Sequence, residues 1–121
     1  MEQEIRRKIE ETEEIYRKNR VALENHLDYL SNEQREFQRY LENISVQLNA
    51  TAKHYETNPP ENKRAFYRLL EQASEESRQR TRATQRNLEE RLHENQSIYN
   101  KKMRKYEEEY RKSKREVESY V

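Results

Sequence analysis

Glycine and cysteine are both absent from this chain of 121 residues, as is tryptophan, and its only two prolines are adjacent. Each absence excludes something. Without glycine there is no phosphate-cradling loop, and no helix interior carries the backbone-entropy cost that glycine brings. Without cysteine there is no disulfide framework and no thiolate zinc site, and the redox compartment stays open. No long apolar run occurs either, so neither a Sec-type signal peptide behind Met1-Glu2-Gln3-Glu4-Ile5-Arg6-Arg7 nor a membrane-spanning segment is expected. Nothing resembles a nucleophile beside its base, and the reading is of a protein that is not an enzyme and needs no cofactor.

What is there is charge, 40% of residues, with a net of only +1 and a mean hydropathy of −1.60. That composition alone suits a disordered chain. The apolar residues, however, keep a helical period, and Glu, Arg, Lys, Gln and Leu are strong helix formers. The break falls at Thr57-Asn58-Pro59-Pro60-Glu61. A proline pair removes two backbone donors and pushes the preceding residue out of the helical region. It also suits a helix start, with Asn58 as cap, proline in the first turn and Glu61 three residues on.

The chain therefore reads as one domain spanning 1–121, an all-α, elongated, antiparallel two-helix hairpin of the coiled-coil kind, turning at about residues 57–61. The first helix is expected over about 3–56 and the second over about 60–120, about 80 and 90 Å long. The first carries the stripe Ile5, Ile9, Thr12, Tyr16, Asn19, Leu23, His26, Leu30, Gln34, Phe37, Leu41, Ile44, Leu48, Thr51, Tyr55. The second opens with Phe66, Leu69, Leu70 and Ala73, then turns small and polar at Ser77, Thr81 and Thr84. Large residues return at Leu88, Leu92, Ile98, Tyr99, Met103, Tyr106, Tyr110, Val117 and Tyr120.

Folding the chain back about the prolines aligns Leu92 with Leu27, Leu88 with Ser31, Tyr110 with Ile9 and Leu70 with Asn49. Residues 1–57 carry 9 basic and 12 acidic side chains, residues 61–121 carry 16 and 12, and opposite signs favour this pairing. The small stretch then lies opposite Phe37, Leu41 and Ile44. Close packing of large on small explains this in one way; an apolar stripe left partly open for another helix explains it in another. The second is the reading adopted, with Phe37, Tyr40, Leu41, Ile44, Leu48 and Phe66 as the partner interface.

Other constellations are weaker. Glu90 and His93 have the Glu-x-x-His spacing of di-iron bundles, but such sites need two copies and further carboxylates. His26 and His93 fall level in the expected alignment, a coincidence among three histidines rather than a switch. Arg78, Arg80, Arg82, Arg86 and Arg91, and the lysines and arginines of 101–115, with interleaved tyrosines, suggest nucleic acid. Glu89, Glu90, Glu107, Glu108 and Glu109 among them favour a solvated face instead. Asn43, Asn49 and Asn95 head glycosylation sequons that lie within the expected helices and carry no meaning there.

A glycine-free, highly charged hairpin of this length, with Asn32-Glu-Gln-Arg-Glu-Phe37, Arg64-Ala-Phe-Tyr-Arg-Leu-Leu-Glu-Gln72 and a Glu107-Glu-Glu-Tyr-Arg-Lys-Ser-Lys-Arg-Glu116 ending, resembles the small accessory proteins encoded beside LXG toxins of Gram-positive bacteria. These are similar in shape to the Trp-x-Gly hairpins of type VII secretion, although this chain has Asn58-Pro59-Pro60 at the turn. The resemblance implies a chaperone or targeting factor that binds the helical N-terminal domain of its toxin, alongside a second small hairpin. It implies a cytoplasmic protein, or one exported with its toxin. Tyr29–Glu33 and Tyr67–Glu71 match the spacing of type VII export tails but lie inside helices, so the export signal is expected on a partner. The alternatives are a self-associating cytosolic coiled-coil scaffold and, third, a coiled coil that binds nucleic acid.

Overall fold

The computed structural model describes residues 2–55 and 60–119, with side chains described for 2–51 and 62–119. It is an all-α hairpin of two helices, α1 (Glu2–Tyr55) and α2 (Pro60–Ser119). No interior glycine or proline interrupts either one. Glu2 and Glu4 place negative charge in the first turn of α1, where the helix dipole favours it. Pro60 stands at the first position of α2, where its missing N–H breaks no helical bond. The expected Asn58 cap and most of the turn over 57–61 lie outside the described residues. Thr12 and Thr51 sit within α1 and donate to the carbonyls of Lys8 and Gln47 at 2.7 and 2.8 Å, which satisfies their hydroxyls within the helix.

The chain forms two compact units, and each is a pair of antiparallel segments. The first comprises residues 1–26 and 88–121, the second 27–87. In the first, the ring of Tyr16 stacks on Tyr99 and Asn19 bonds Asn95, so position rises on α1 as it falls on α2. In the second, Gln34 accepts from Thr81, Gln38 from Ser74, and Asn49 from Tyr67, in the same opposed order.

These contacts correct the expected alignment by about one helical turn. Pairing Ile9 with Tyr110 carries Tyr16 to Met103; the structure stacks Tyr16 on Tyr99. Two turns either way, Ile9 is therefore level with Tyr106, and Leu23 with Leu92. In the second unit Asn49 meets Tyr67 rather than Leu70. The expected alignment centres on the proline pair, and apolar residues recur at every turn of both helices, so hydropathy alone does not fix the alignment to within one turn.

The interior is thin. Ile5, Leu41 and Leu88 are the buried hydrophobic residues among those described, and Leu88 alone is nearly sealed, at 2% exposure. The accessible surface is 10607 Å². Little apolar area is withdrawn from water, so the hydrophobic gain that offsets chain entropy is small.

Candidate partner-binding face

In the second unit the row along which α1 meets α2 contains Gln34, Gln38, Leu41, Ser45 and Leu48 on α1 and Tyr67, Leu70, Ser74, Ser77 and Thr81 on α2, all half-buried or buried. Its centre is polar. Ser77 and Thr81 both donate to Gln34 Oε1 at 2.7 Å. Ser74 Oγ donates to Gln38 Oε1 at 2.8 Å, while Gln38 Nε2 reaches the Ser74 carbonyl at 3.4 Å. The small hydroxyl residues of α2 thus face two glutamines. The expected match with Phe37 fails because Phe37 stands one residue off the meeting row, which Gln38 occupies.

The residues that immediately precede this row form a second row. On α1 they are Glu33, Phe37, Tyr40, Ile44 and Gln47; on α2 they are Phe66, Leu69, Ala73, Glu76 and Arg80. Successive residues of a right-handed helix turn by about 100°, and antiparallel helices turn in opposite senses when viewed from one end. The residue before a contact position therefore falls on the same side of the pair on both helices. Within the first unit the same rule is visible directly. A groove of about 290 Å³ over Ile5 and Ser113 is walled by Glu4 and Lys8 from α1 and by Glu109, Lys112 and Glu116 from α2. Another, over Tyr16 and Tyr99, is edged by Ile15 and Ile98.

The two units differ in what that side carries. In the first it is charged, apart from exposed Ile15 and Ile98. In the second it carries an apolar patch open to water, bordered by Glu33, Gln47, Glu76 and Arg80: Phe37 is 36% exposed, Phe66 40%, Tyr40 60% and Leu69 62%, with Ile44 half-buried beside them. The residues that follow the meeting row, on the other side of the second unit, are Arg39, Glu42 and Val46 on α1 and Arg68, Glu71, Glu75 and Arg78 on α2, all exposed. One side thus carries the apolar patch, and the other is mainly charged.

Of the six residues expected at the interface, Phe37, Tyr40 and Phe66 are exposed, Ile44 and Leu48 are half-buried, and Leu41 is buried at 9%. Leu41 therefore serves the helix pair itself. Leu69 was not among the six; its three-residue spacing from Phe66 is the signal that finds it.

The other sequence features hold no assembled site. Glu90, His93 and His26 are all exposed, and among the described residues no group of three or more His, Cys, Asp or Glu side chains is placed to hold a metal ion. Arg78, Arg80, Arg82, Arg86 and Arg91 are exposed as well. No helix among the described residues is long and apolar enough to cross a membrane. No protein-family model, curated protein or solved structure matches the chain.

Proposed function

We propose that the protein is a non-enzymatic adaptor that binds a helical segment of a partner protein along the side marked by Phe37, Tyr40, Ile44, Phe66 and Leu69. The observation that carries this reading is the open apolar row of the second unit, lying beside a meeting row whose centre is hydroxyl and amide. Large side chains exposed at three- and four-residue spacing on both helices offer a trough of the kind an amphipathic helix fills. Each, once buried, contributes on the order of 1–3 kcal/mol.

The partner class comes from the resemblance to LXG accessory proteins: the helical N-terminal domain of a toxin exported by type VII secretion, with a second small hairpin in the same complex. The protein would hold that domain before export. Co-expression with the N-terminal domain encoded by a neighbouring LXG gene tests this, and the expected result is a complex that stays together on size-exclusion chromatography. A chain that elutes apart from every such domain, and forms a concentration-dependent oligomer by light scattering, would be a self-associating scaffold instead.

A further inference from the structure

The first unit has an apolar spot of its own, on the side where the residues preceding the meeting row stand. Ile15 and Ile98, 58% and 55% exposed, edge the groove over Tyr16 and Tyr99, and Lys102 lines it with them. A second groove, of about 360 Å³, adjoins the first through Asn95 and Ile98 and is lined by Ala22, Arg91 and Glu94. The opposite side of the unit carries charged and polar residues, Arg17, Arg20 and Glu24 with His93, Gln96 and Asn100 among them.

Each isoleucine stands between two charges of opposite sign. On α1, Glu11 lies one turn before Ile15 and Lys18 one turn after it. On α2, Glu94 lies one turn before Ile98 and Lys102 one turn after it. Because the helices are antiparallel, Glu11 comes level with Lys102 and Lys18 with Glu94. The hairpin does not join these charges across its own groove. Glu11 pairs with Arg7 and Lys18 with Glu14, each along α1, and neither Glu94 nor Lys102 is in an ion pair.

An acid, an isoleucine and a base in that order are their own complement when two copies meet in opposite directions. We propose that this side of the first unit binds a second copy of the chain. The two first units stack face to face about a two-fold axis that runs across the helices, α1 on α1 and α2 on α2, both antiparallel. Ile15 then meets Ile15 of the second copy, and Ile98 meets Ile98. Glu11 meets Lys18 and Glu94 meets Lys102, each pair occurring twice. Further out Arg91 falls level with Lys105, a like-charged pair at the edge, where long side chains stay in water. The four isoleucines supply the attraction, and the charges set the orientation.

A second copy is the occupant that matches this surface by construction, because it carries the inverted signs at the same spacing on both helices. Ile15 also stands near the middle of the 1–26 share of α1, so the overlap covers that share nearly from end to end. A face about 33 Å long and about 20 Å wide amounts to about 660 Å² per copy, toward the low end of specific interfaces. The adaptor row belongs to the second unit, so this pairing stands or falls apart from the adaptor reading.

Charge exchange in the isolated full chain tests it. One variant carries Glu11→Lys and Glu94→Lys, the other Lys18→Glu and Lys102→Glu. Sedimentation of the unchanged chain between about 5 and 500 µM should show a monomer–dimer equilibrium. Each variant alone should self-associate at least about tenfold more weakly, and an equimolar mixture should recover dimer formation to within about threefold. The chain lacks cysteine, so Ile15→Cys should give a disulfide-linked dimer on oxidation, whereas Val21→Cys, exposed on α1 away from this side, should not. A strictly monomeric unchanged chain overturns the proposal, as do variants that associate undiminished alone, a mixture that fails to recover, or equal closure at Ile15 and Val21. Association lost instead with Phe37→Glu and Leu69→Glu would move the contact to the second unit and overturn it too. Loss of helical circular dichroism in either charge variant also overturns it, because those charges would then be holding the hairpin itself together.

Discussion

Tyr16 and Tyr99 stack across the first unit with ring centroids 4.3 Å apart and planes 17° from parallel. The guanidinium of Arg20 lies 5.6 Å from the Tyr16 ring centre, so the stack is capped from its own helix. Replacing Tyr99 by leucine keeps an apolar group there and removes the ring pair. Tyr99→Leu should therefore lower the unfolding free energy by about 1 kcal/mol in a urea titration, with the helical signal of the folded state unchanged.

Leu88 is the most enclosed side chain of the described residues, and the thin interior leaves few others to share its loss. Leu88→Ala should cost about 3 kcal/mol, a large share of what a single-layer helix pair can hold. Phe66→Ala, at a residue 40% exposed, should cost less than about 1 kcal/mol. Equal losses in the two variants would mean that the open row is core after all.

The open row yields the sharpest test of the adaptor reading. Phe37→Glu combined with Leu69→Glu should abolish co-purification with an LXG-type helical domain while leaving the far-ultraviolet dichroism of the isolated protein intact. Leu41→Glu cannot serve here, because Leu41 is buried and its charge would disrupt the helix pair. Val46→Glu, on the charged side, and reversal of Glu10 and Glu11 should leave the complex unaffected. Binding lost only in these last variants would move the interface to the other side or to the first unit.

Salt should matter little to the isolated protein. The ion pairs Arg7–Glu11, Lys18–Glu14 and Arg20–Glu24 each join residues four apart on α1 and stand in water. Pairs of this kind contribute little and are screened. Between about 0.05 and 0.5 M sodium chloride the thermal midpoint should move by no more than about 3 °C. A steep fall would show that attraction between the acidic and basic halves of the chain holds the helices together.

The helices themselves were legible from composition and breakers: no glycine, one proline pair, and a stripe whose members Ile5, Leu41 and Leu88 are the buried hydrophobic residues of the described chain. Alignment was not legible, because residues such as Tyr99 and Met103, or Tyr106 and Tyr110, occupy the same row one turn apart and hydropathy treats them alike. The identity of the row was ambiguous for the same local reason. Phe37 beside Gln38, and Phe66 beside Tyr67, are neighbours of which only one can face the other helix. Hydropathy favours Phe37 and Phe66; the structure turns Gln38 and Tyr67 inward, where hydroxyl and amide partners meet them. The open side was thus visible as a surplus of apolar residues before its position could be seen.

The tyrosines also give the molecule an optical use. With nine tyrosines and no tryptophan, its near-ultraviolet emission comes from phenol rings alone. Tyr16, Tyr99, Tyr106 and Tyr110 are half-buried in the first unit, whereas Tyr29 and Tyr40 in the second stand in water. Emission from the first group should change when the helices separate there, and emission from Tyr40 should change when something covers it. An unlabelled sample can therefore report separation of the first unit and occupation of the second as two spectroscopic events, told apart by Tyr40→Phe.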